Sequence, residues 1–157
     1  MSDDPLRNHL ARLLQWEDAH LTFEAAVAGI GPELRAARPD GVPYSAWQLV
    51  EHMRIAQRDI LSFCRDPVYQ DLEWPAEYWP DSPNPPSDDA WESSIEAFLH
   101  DRAEMVRVAM DVDLFSPVPN GSGQTYLREI LLVADHNSYH LGELVLLRRA
   151  LGAWPSE

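Results

Sequence analysis

Three histidines have the residue type and the spacing to bind one metal ion: His52, His136 and His140. His136 and His140 are four residues apart in the segment ADHNSYHLGELVLL. Side chains at i and i+4 project from one face of a helix, close enough to chelate a single ion. Helix-borne zinc sites use this pairing, although the HxxxH spacing alone is a weak signal.

The helical face that contains His136 and His140 is otherwise mostly apolar, as is the opposite face, so other helices should enclose it. At about 100° per residue, the same face contains Leu132, Val133, Leu144 and Leu147. Burying a polar group without a partner costs about 1–3 kcal/mol. The two imidazoles therefore need hydrogen-bond partners or a metal ion.

His52 is a candidate third ligand, because it occupies an apolar stripe of another predicted helix. Three histidines leave a coordination position open for water or substrate, as in catalytic zinc sites, whereas closed structural sites are usually rich in cysteine. The alternative is three histidines hydrogen-bonded inside an ordinary helical core. The metal hypothesis requires that the ring nitrogens lie within about 5 Å of one another, since Zn–N bonds are about 2 Å long.

Glu143 follows His140 by three residues and lies on the same predicted face. It could be a fourth ligand, a general base, or a carboxylate that orients an imidazole, and the last interpretation is slightly favoured. His20 lies on the same row of the predicted first helix as Glu17. This position indicates that His20 either orients a metal ligand or is a solvated residue paired with a carboxylate. His9 and His100 have polar neighbours and are predicted to be surface residues.

Four amphipathic helices are predicted, and together they indicate an all-α fold, a four-helix bundle formed by residues 1–157 as a single domain. The predicted helices span residues 5–28, 45–64, 87–112 and 125–151. Ser45 with Gln48 reads as a capping box at the start of the second helix.

A long loop rich in proline and aromatic residues, residues 66–87, separates the second and third helices. Its prolines exclude a continuous helix or a sheet, and its tryptophans and tyrosines predict an ordered loop packed over the helices. This loop could form one wall of a pocket, or it could simply cover the core.

The formal net charge of −14 makes nucleic acids and anionic membranes improbable partners, because both are bound through basic residues. We expect no signal peptide and no membrane span, since no stretch approaches about 18 apolar residues. The single cysteine, Cys64, cannot form an internal disulfide and is predicted to be a small buried apolar residue. A cytoplasmic location is the expectation.

Two segments, WQLVEHMRIAQRDIL and LLVADHNSYHLGELVLLRR, resemble the signature helices of the DinB-like superfamily of small bacterial four-helix bundles. The resemblance covers nearly the whole chain. It implies that His52, His136 and His140 bind zinc, nickel or a similar divalent ion, and that the protein is a homodimer. The family pattern has Gln at the position of Glu143, so this chain adds negative charge beside the ion.

The resemblance implies one of two activities. Some members of the superfamily are thiol-dependent enzymes, in which the metal activates a low-molecular-weight thiol such as mycothiol or bacillithiol, and others are described as metal-dependent hydrolases. We therefore expect a small-molecule substrate, and activation of a thiol is favoured over activation of water. A metal-responsive or ligand-binding module without turnover, and a purely structural helical domain, are the alternatives.

Overall fold

The computed structural model describes residues 4–15 and 18–154 of the chain, and within these ranges the secondary structure is helical, without a β-strand. The all-α prediction is therefore confirmed. The helices are α1 (Pro5–Gln15), α2 (Phe23–Val27), α3 (Pro32–Arg35), α4 (Ala46–Arg65), α5 (Asp88–Asp111) and α6 (Tyr126–Ala150). No described helix combines the length and the apolar character that a membrane crossing requires.

The predicted first helix, residues 5–28, is wrong in its length, because α1 ends at Gln15 and α2 begins only at Phe23. Asp18, Ala19 and His20 are exposed bends. Thr22 has an extended backbone, and its side chain accepts a hydrogen bond from the Ala25 amide. A threonine that caps a new helix favours a break over continuation of the old one.

The other three predicted long helices are present with nearly the expected ends. Ser45 and Gln48 form the capping box at the start of α4, Ser87 caps α5 and Thr125 caps α6. These side chains satisfy amides that a helix start leaves without an intrahelical partner. After α6, Gly152 has a φ of 66°, which glycine adopts without steric cost.

The directions of the long helices determine which residues can meet. The Ser94 hydroxyl of α5 donates to Glu51 near the start of α4 at 2.7 Å, and Arg58 donates to Asp101 about two turns further along both helices, so α4 and α5 run parallel. In contrast, the Tyr126 hydroxyl at the start of α6 donates to the Cys64 carbonyl near the end of α4, so α6 runs antiparallel to α4 and brings the HxxxH segment opposite His52. Two apolar clusters fill the interior, one around Phe98 and Leu144 and the other around Met105 and Ile130.

Parallel α4 and α5 require a connection that returns along the whole of α4, a distance of about 30 Å for a helix of its length. Residues 66–87 form this connection and contain only turns and bends. Their return path follows α4: the carbonyl oxygen of Tyr78 contacts His52, and that of Pro83 accepts from the Ser45 hydroxyl at 2.7 Å. The topology therefore places the aromatic residues of this loop over His52.

Candidate metal centre

His52, His136 and His140, hereafter the imidazole cluster, meet between α4 and α6. The Nε2 atom of His52 is 3.1 Å from Nε2 of His140 and 3.1 Å from Nε2 of His136. One ligand atom from each of the three residues lies within 4.8 Å of the others. The convergence that the metal hypothesis required is present, and the cluster could hold a metal ion.

The outer nitrogens of two of these rings are fixed by acceptors. Nδ1 of His52 donates to the carbonyl oxygen of Tyr78 at 2.8 Å, and Nδ1 of His140 donates to Oε2 of Glu143 at 2.7 Å. A carbonyl and a carboxylate only accept, so the ring proton belongs on Nδ1 and the lone pair on Nε2.

His136 has a similar arrangement through a neighbouring amide pair, Gln57 and Asn137. Nδ1 of His136 lies 3.4 Å from Oδ1 of Asn137, whose Nδ2 donates to Oε1 of Gln57 at 2.9 Å. Gln57 in turn donates to the carbonyl oxygen of Phe98 at 2.7 Å. Because the amide nitrogen of Asn137 donates to Gln57, its oxygen Oδ1 faces His136 and can accept from Nδ1 of that ring. The ring proton of His136 then lies on Nδ1, and the lone pair of Nε2 faces the imidazole cluster.

The resulting donor set fits a divalent cation. Three Nε2 lone pairs directed at one another repel, and a hydrogen bond between two of them would need a proton that the Nδ1 partners hold elsewhere. Metal–nitrogen bonds of about 2.1 Å at angles of 90–109° separate ligand nitrogens by about 3.0–3.4 Å. The two spacings from Nε2 of His52, both 3.1 Å, lie within that range, and the three ligand atoms lie within 4.8 Å of one another.

Burial keeps the three imidazoles neutral, which is the form that binds metal. Desolvation is the main cause of a pKa of about 4 for His52 and for His140, and the charge of the neighbouring imidazoles lowers both further. The pKa of His136 is also lowered, again chiefly by burial. Protons therefore compete weakly with a metal ion at neutral pH.

Trp79 of the long loop covers the imidazole of His52. Its ring stacks on His52 with centroids 3.7 Å apart, and its other face stacks on Tyr44 at 3.9 Å. The indole therefore fixes the plane of one candidate ligand, while the carbonyl of the preceding residue, Tyr78, fixes its edge. Sequence reasoning expected a packed aromatic loop but did not identify Trp79, because nothing in the spacing shows which aromatic residue reaches the site.

A cavity of about 330 Å³ borders the imidazole cluster on the side of the loop. Its walls are mostly apolar and aromatic, and they include Trp74, Tyr78, Trp79, Ile60 and Leu132. We refer to it as the imidazole cavity. A pocket wall formed by the loop was one of the two sequence-based interpretations, and the structure has this arrangement.

Glu143 does not border the imidazole cavity. Its carboxylate lies on the outer nitrogen of His140, and its side chain lines a separate cavity beside Tyr44 and Leu146. Burial raises the pKa of Glu143, while Tyr139 and His136 act in the opposite direction. This placement is that of a carboxylate that orients His140.

The remaining candidates lie outside the cluster. His9 and His20 are exposed, and His100 is exposed on α5, where it contacts Asp101 at 3.2 Å. Glu17, expected in the row of His20, lies outside the described residues. Cys64 is buried, and burial, followed by the charge of Glu129, raises the pKa of its thiol to about 12, as expected of an unreactive core residue.

Comparisons with known proteins do not place the chain in a family. No family model matches the chain, and neither the curated proteins nor the solved structures contain a match to it. The function must therefore be argued from the geometry of the imidazole cluster and its cavity.

Proposed function

We propose that this chain is a metal-dependent enzyme of the DinB-like type, in which His52, His136 and His140 hold a divalent ion, zinc or nickel, beside a substrate cavity. Its reaction is the transfer of a low-molecular-weight thiol to an electrophile. The observation that carries the proposal is the convergence of three Nε2 atoms whose Nδ1 partners leave their lone pairs unprotonated. An ion bound there would lower the pKa of a thiol or water molecule in its open coordination position.

The residues around the cluster hold the ligands in place. The Tyr78 carbonyl and the Trp79 ring fix the edge and the plane of His52, and Glu143 orients His140 and increases its basicity. The neutral ligand set adds no negative charge to the first coordination sphere, so a bound ion would keep its full charge for stabilising an anionic nucleophile.

The imidazole cavity supports an enzyme over a purely structural ion, because an ion that only stabilises the fold needs no adjoining space of about 330 Å³. Thiol chemistry is favoured over hydrolysis by the position of Glu143. Hydrolysis by a bound water is assisted by a nearby general base, but this carboxylate is engaged on the outer nitrogen of His140. A thiol of lowered pKa releases its proton to solvent without such a base.

The fold supports the resemblance on which the family assignment rests. Three long helices, α4, α5 and α6, with α1 packed against α5 and α6, are the elements of the proposed four-helix bundle, and residues 66–87 are its long crossover. A homodimer and a cytoplasmic location complete the proposal. Light scattering of the purified protein tests the dimer directly.

Turnover tests the proposal. Zinc- or nickel-loaded protein is incubated with 1-chloro-2,4-dinitrobenzene and mycothiol, bacillithiol or no thiol, and release of chloride and formation of the thioether are measured. We expect metal- and thiol-dependent turnover that His136→Ala abolishes and His100→Ala, a change at an exposed histidine, preserves. Equal activity in His136→Ala contradicts the proposal, and cleavage of an aryl ester without thiol would assign hydrolysis instead.

A further inference from the structure

Asp59 lies at the far end of the imidazole cavity from the imidazole cluster. It follows His52 by seven residues on α4, which is two helical turns and roughly 10 Å along the axis, on the same side of the helix. The two side chains therefore line one cavity, with Ala56 between them on its floor. A ligand that reaches the imidazoles has room to extend to Asp59.

Two tyrosines hold the carboxylate of Asp59 in place. The hydroxyl of Tyr69 donates to Oδ1 at 2.9 Å, and that of Tyr78 donates to Oδ2 at 2.6 Å. Burial, and then the hydrogen bond to Asp59, raises the pKa of both phenols above its ordinary value, so they remain donors. A carboxylate has about four lone-pair positions, so each oxygen can accept a further partner.

Asp59 has no cationic partner within 4.0 Å among the residues that the structure describes. The two arginines nearest to it on α4 have other acceptors: Arg54 forms a two-pronged pair with Glu51, and Arg58 contacts Asp101 at 3.0 Å. Both arginines also line a separate groove, which Asp59 and Tyr69 border as well. No arginine is therefore paired with Asp59 in the described part of the chain, and its carboxylate, which also lines the imidazole cavity, remains available to a cation there.

The cavity walls suit a cation as well as an apolar group. Trp74, Tyr78 and Trp79 line the cavity, and the rings of Trp74 and Tyr78 are 5.3 Å apart. Aromatic faces attract organic cations, including those that cannot donate a hydrogen bond. Among the described residues, no arginine or lysine lines this cavity, and the chain as a whole has a net charge of −14, so the field of the protein groups themselves favours cations over anions.

We propose that the reactant that fills the imidazole cavity is an organic cation, an apolar molecule with an ammonium group about 10 Å from the end that reacts at the imidazole cluster. Asp59 recognises the charge and the aromatic walls recognise the body. This inference rests on the proposed function, because only an enzyme has a reactant. The preference of the imidazole cavity for cations can nevertheless be measured without turnover.

The test compares three ligands of similar length by calorimetry: 3-phenylpropyl-trimethylammonium, 4-phenylbutan-1-ol and 4-phenylbutyrate. The quaternary ammonium cannot coordinate a metal, so its binding reports the cavity and not the imidazole cluster. Metal-free protein is used first, and zinc-loaded protein second. We expect the cation to bind about tenfold more tightly than the alcohol, and the carboxylate most weakly.

Two variants, with a third as the control, test which residues cause the preference of the cavity for the cation. Asp59→Asn should reduce the ratio of cation to alcohol affinity to about one to two, while Asp71→Asn, which removes a nearby charge outside the cavity lining, should leave the ratio unchanged. Trp74 is 68% exposed, so Trp74→Leu can be made without disturbing the core, and it should lower the affinity for the cation more than for the alcohol.

Equal affinities for the cation and the alcohol in the unmodified protein would overturn the inference, as would a preference that persists in both Asp59→Asn and Trp74→Leu. These outcomes leave the proposed function intact, because turnover with an uncharged electrophile is measured separately. Conversely, a protein that binds no metal but retains the cation preference would overturn the proposed function alone.

Discussion

The interface between α4 and α6 contains two buried polar clusters about one turn apart, and they satisfy their polar atoms in opposite ways. In the amide pair, each donor is directed at a protein acceptor, and the chain ends on a backbone carbonyl. In the imidazole cluster, the outer nitrogens are satisfied but the inner ones face each other at 3.1 Å. Protein groups alone complete the first cluster, whereas the second could hold a metal ion.

This difference separates a structural polar group from a functional one. A satisfied buried amide fixes the register of two helices and gains nothing from a ligand. Three unprotonated nitrogens directed at one point cost free energy in the absence of a ligand, and folds retain such arrangements chiefly at functional sites. The predictions below test whether the two clusters differ as their hydrogen bonds indicate.

The largest expected effect is on metal affinity. His52→Ala should weaken binding of zinc by more than about 100-fold, because loss of a ligand exceeds the 10–100-fold cost of losing an outer partner. Gln57→Leu removes the acceptor that holds Asn137 against His136, one step further from the ion, and should weaken binding by about tenfold at most. Competition with a chromogenic chelator measures both, and equal losses in the two variants would erase the distinction between the clusters.

The stability of the metal-free protein should depend on the two clusters in the reverse order: a substitution in the amide pair should lower the free energy of unfolding more than one in the imidazole cluster. Gln57→Ala leaves the Asn137 amide without its acceptor in the core, which should cost about 1–3 kcal/mol. His136→Gln removes one of the repelling lone pairs and should cost less than about 1 kcal/mol. Urea denaturation in the presence of a chelator gives both values. A larger loss in His136→Gln than in Gln57→Ala would contradict the comparison.

The imidazole cluster should also make the stability of the metal-free protein depend on pH. The pKa of His52 and of His140 is about 4 in the folded state and close to 6.5 in the unfolded chain, so the unfolded state binds more protons between these values. The free energy of unfolding should therefore fall as the pH falls from 6.5 towards 4, and this contribution should level off below pH 4.

Substitution of His52 separates the contribution of the imidazoles to the pH dependence of stability from that of the carboxylates of the chain. Between pH 7 and pH 5, His52→Gln should lose about 2 kcal/mol less stability than the unmodified protein. Gln57→Leu, which removes no titrating group, should keep the full dependence. Thermal midpoints collected across this pH range provide the measurement, and an unchanged slope in His52→Gln would exclude the pKa assigned to this imidazole.

The smallest effect concerns the carboxylate on His140. Glu143→Gln keeps an acceptor for Nδ1 but removes the charge, so zinc affinity should fall about tenfold. Glu104→Gln, a change at a carboxylate that pairs with Arg65 and Arg107 away from the imidazole cluster, serves as the control and should have no effect on affinity. Retention of full affinity in Glu143→Gln would mean that the charge of Glu143 does not contribute to binding.

The sequence predicted three of the long helices and the histidines of the imidazole cluster because both depend on local spacing. Helix ends were readable where a side chain caps them, as at Ser45, Ser87 and Thr125. The break after α1 was missed because the leucine repeat continues to Leu21 and gives no sign that Thr22 starts a new helix.

Contacts that depend on the tertiary path of the loop were not readable. The stacking of Trp79 on His52 and the tyrosine hydroxyls on Asp59 follow from the parallel arrangement of α4 and α5, which forces the loop back along α4. Helical periodicity says which face of a helix is buried, but not which helices run parallel. Asp59 could have been considered only after the loop was placed.

X-ray absorption at the zinc edge tests the central claim most directly. Protein loaded with about one zinc ion per chain should show three imidazole nitrogens at about 2.0–2.1 Å, with the multiple scattering typical of histidine, and His136→Ala should lose one of them or the metal itself. A first shell without imidazole scattering, or one unchanged in His136→Ala, would contradict the assignment of His52, His136 and His140 as the metal site.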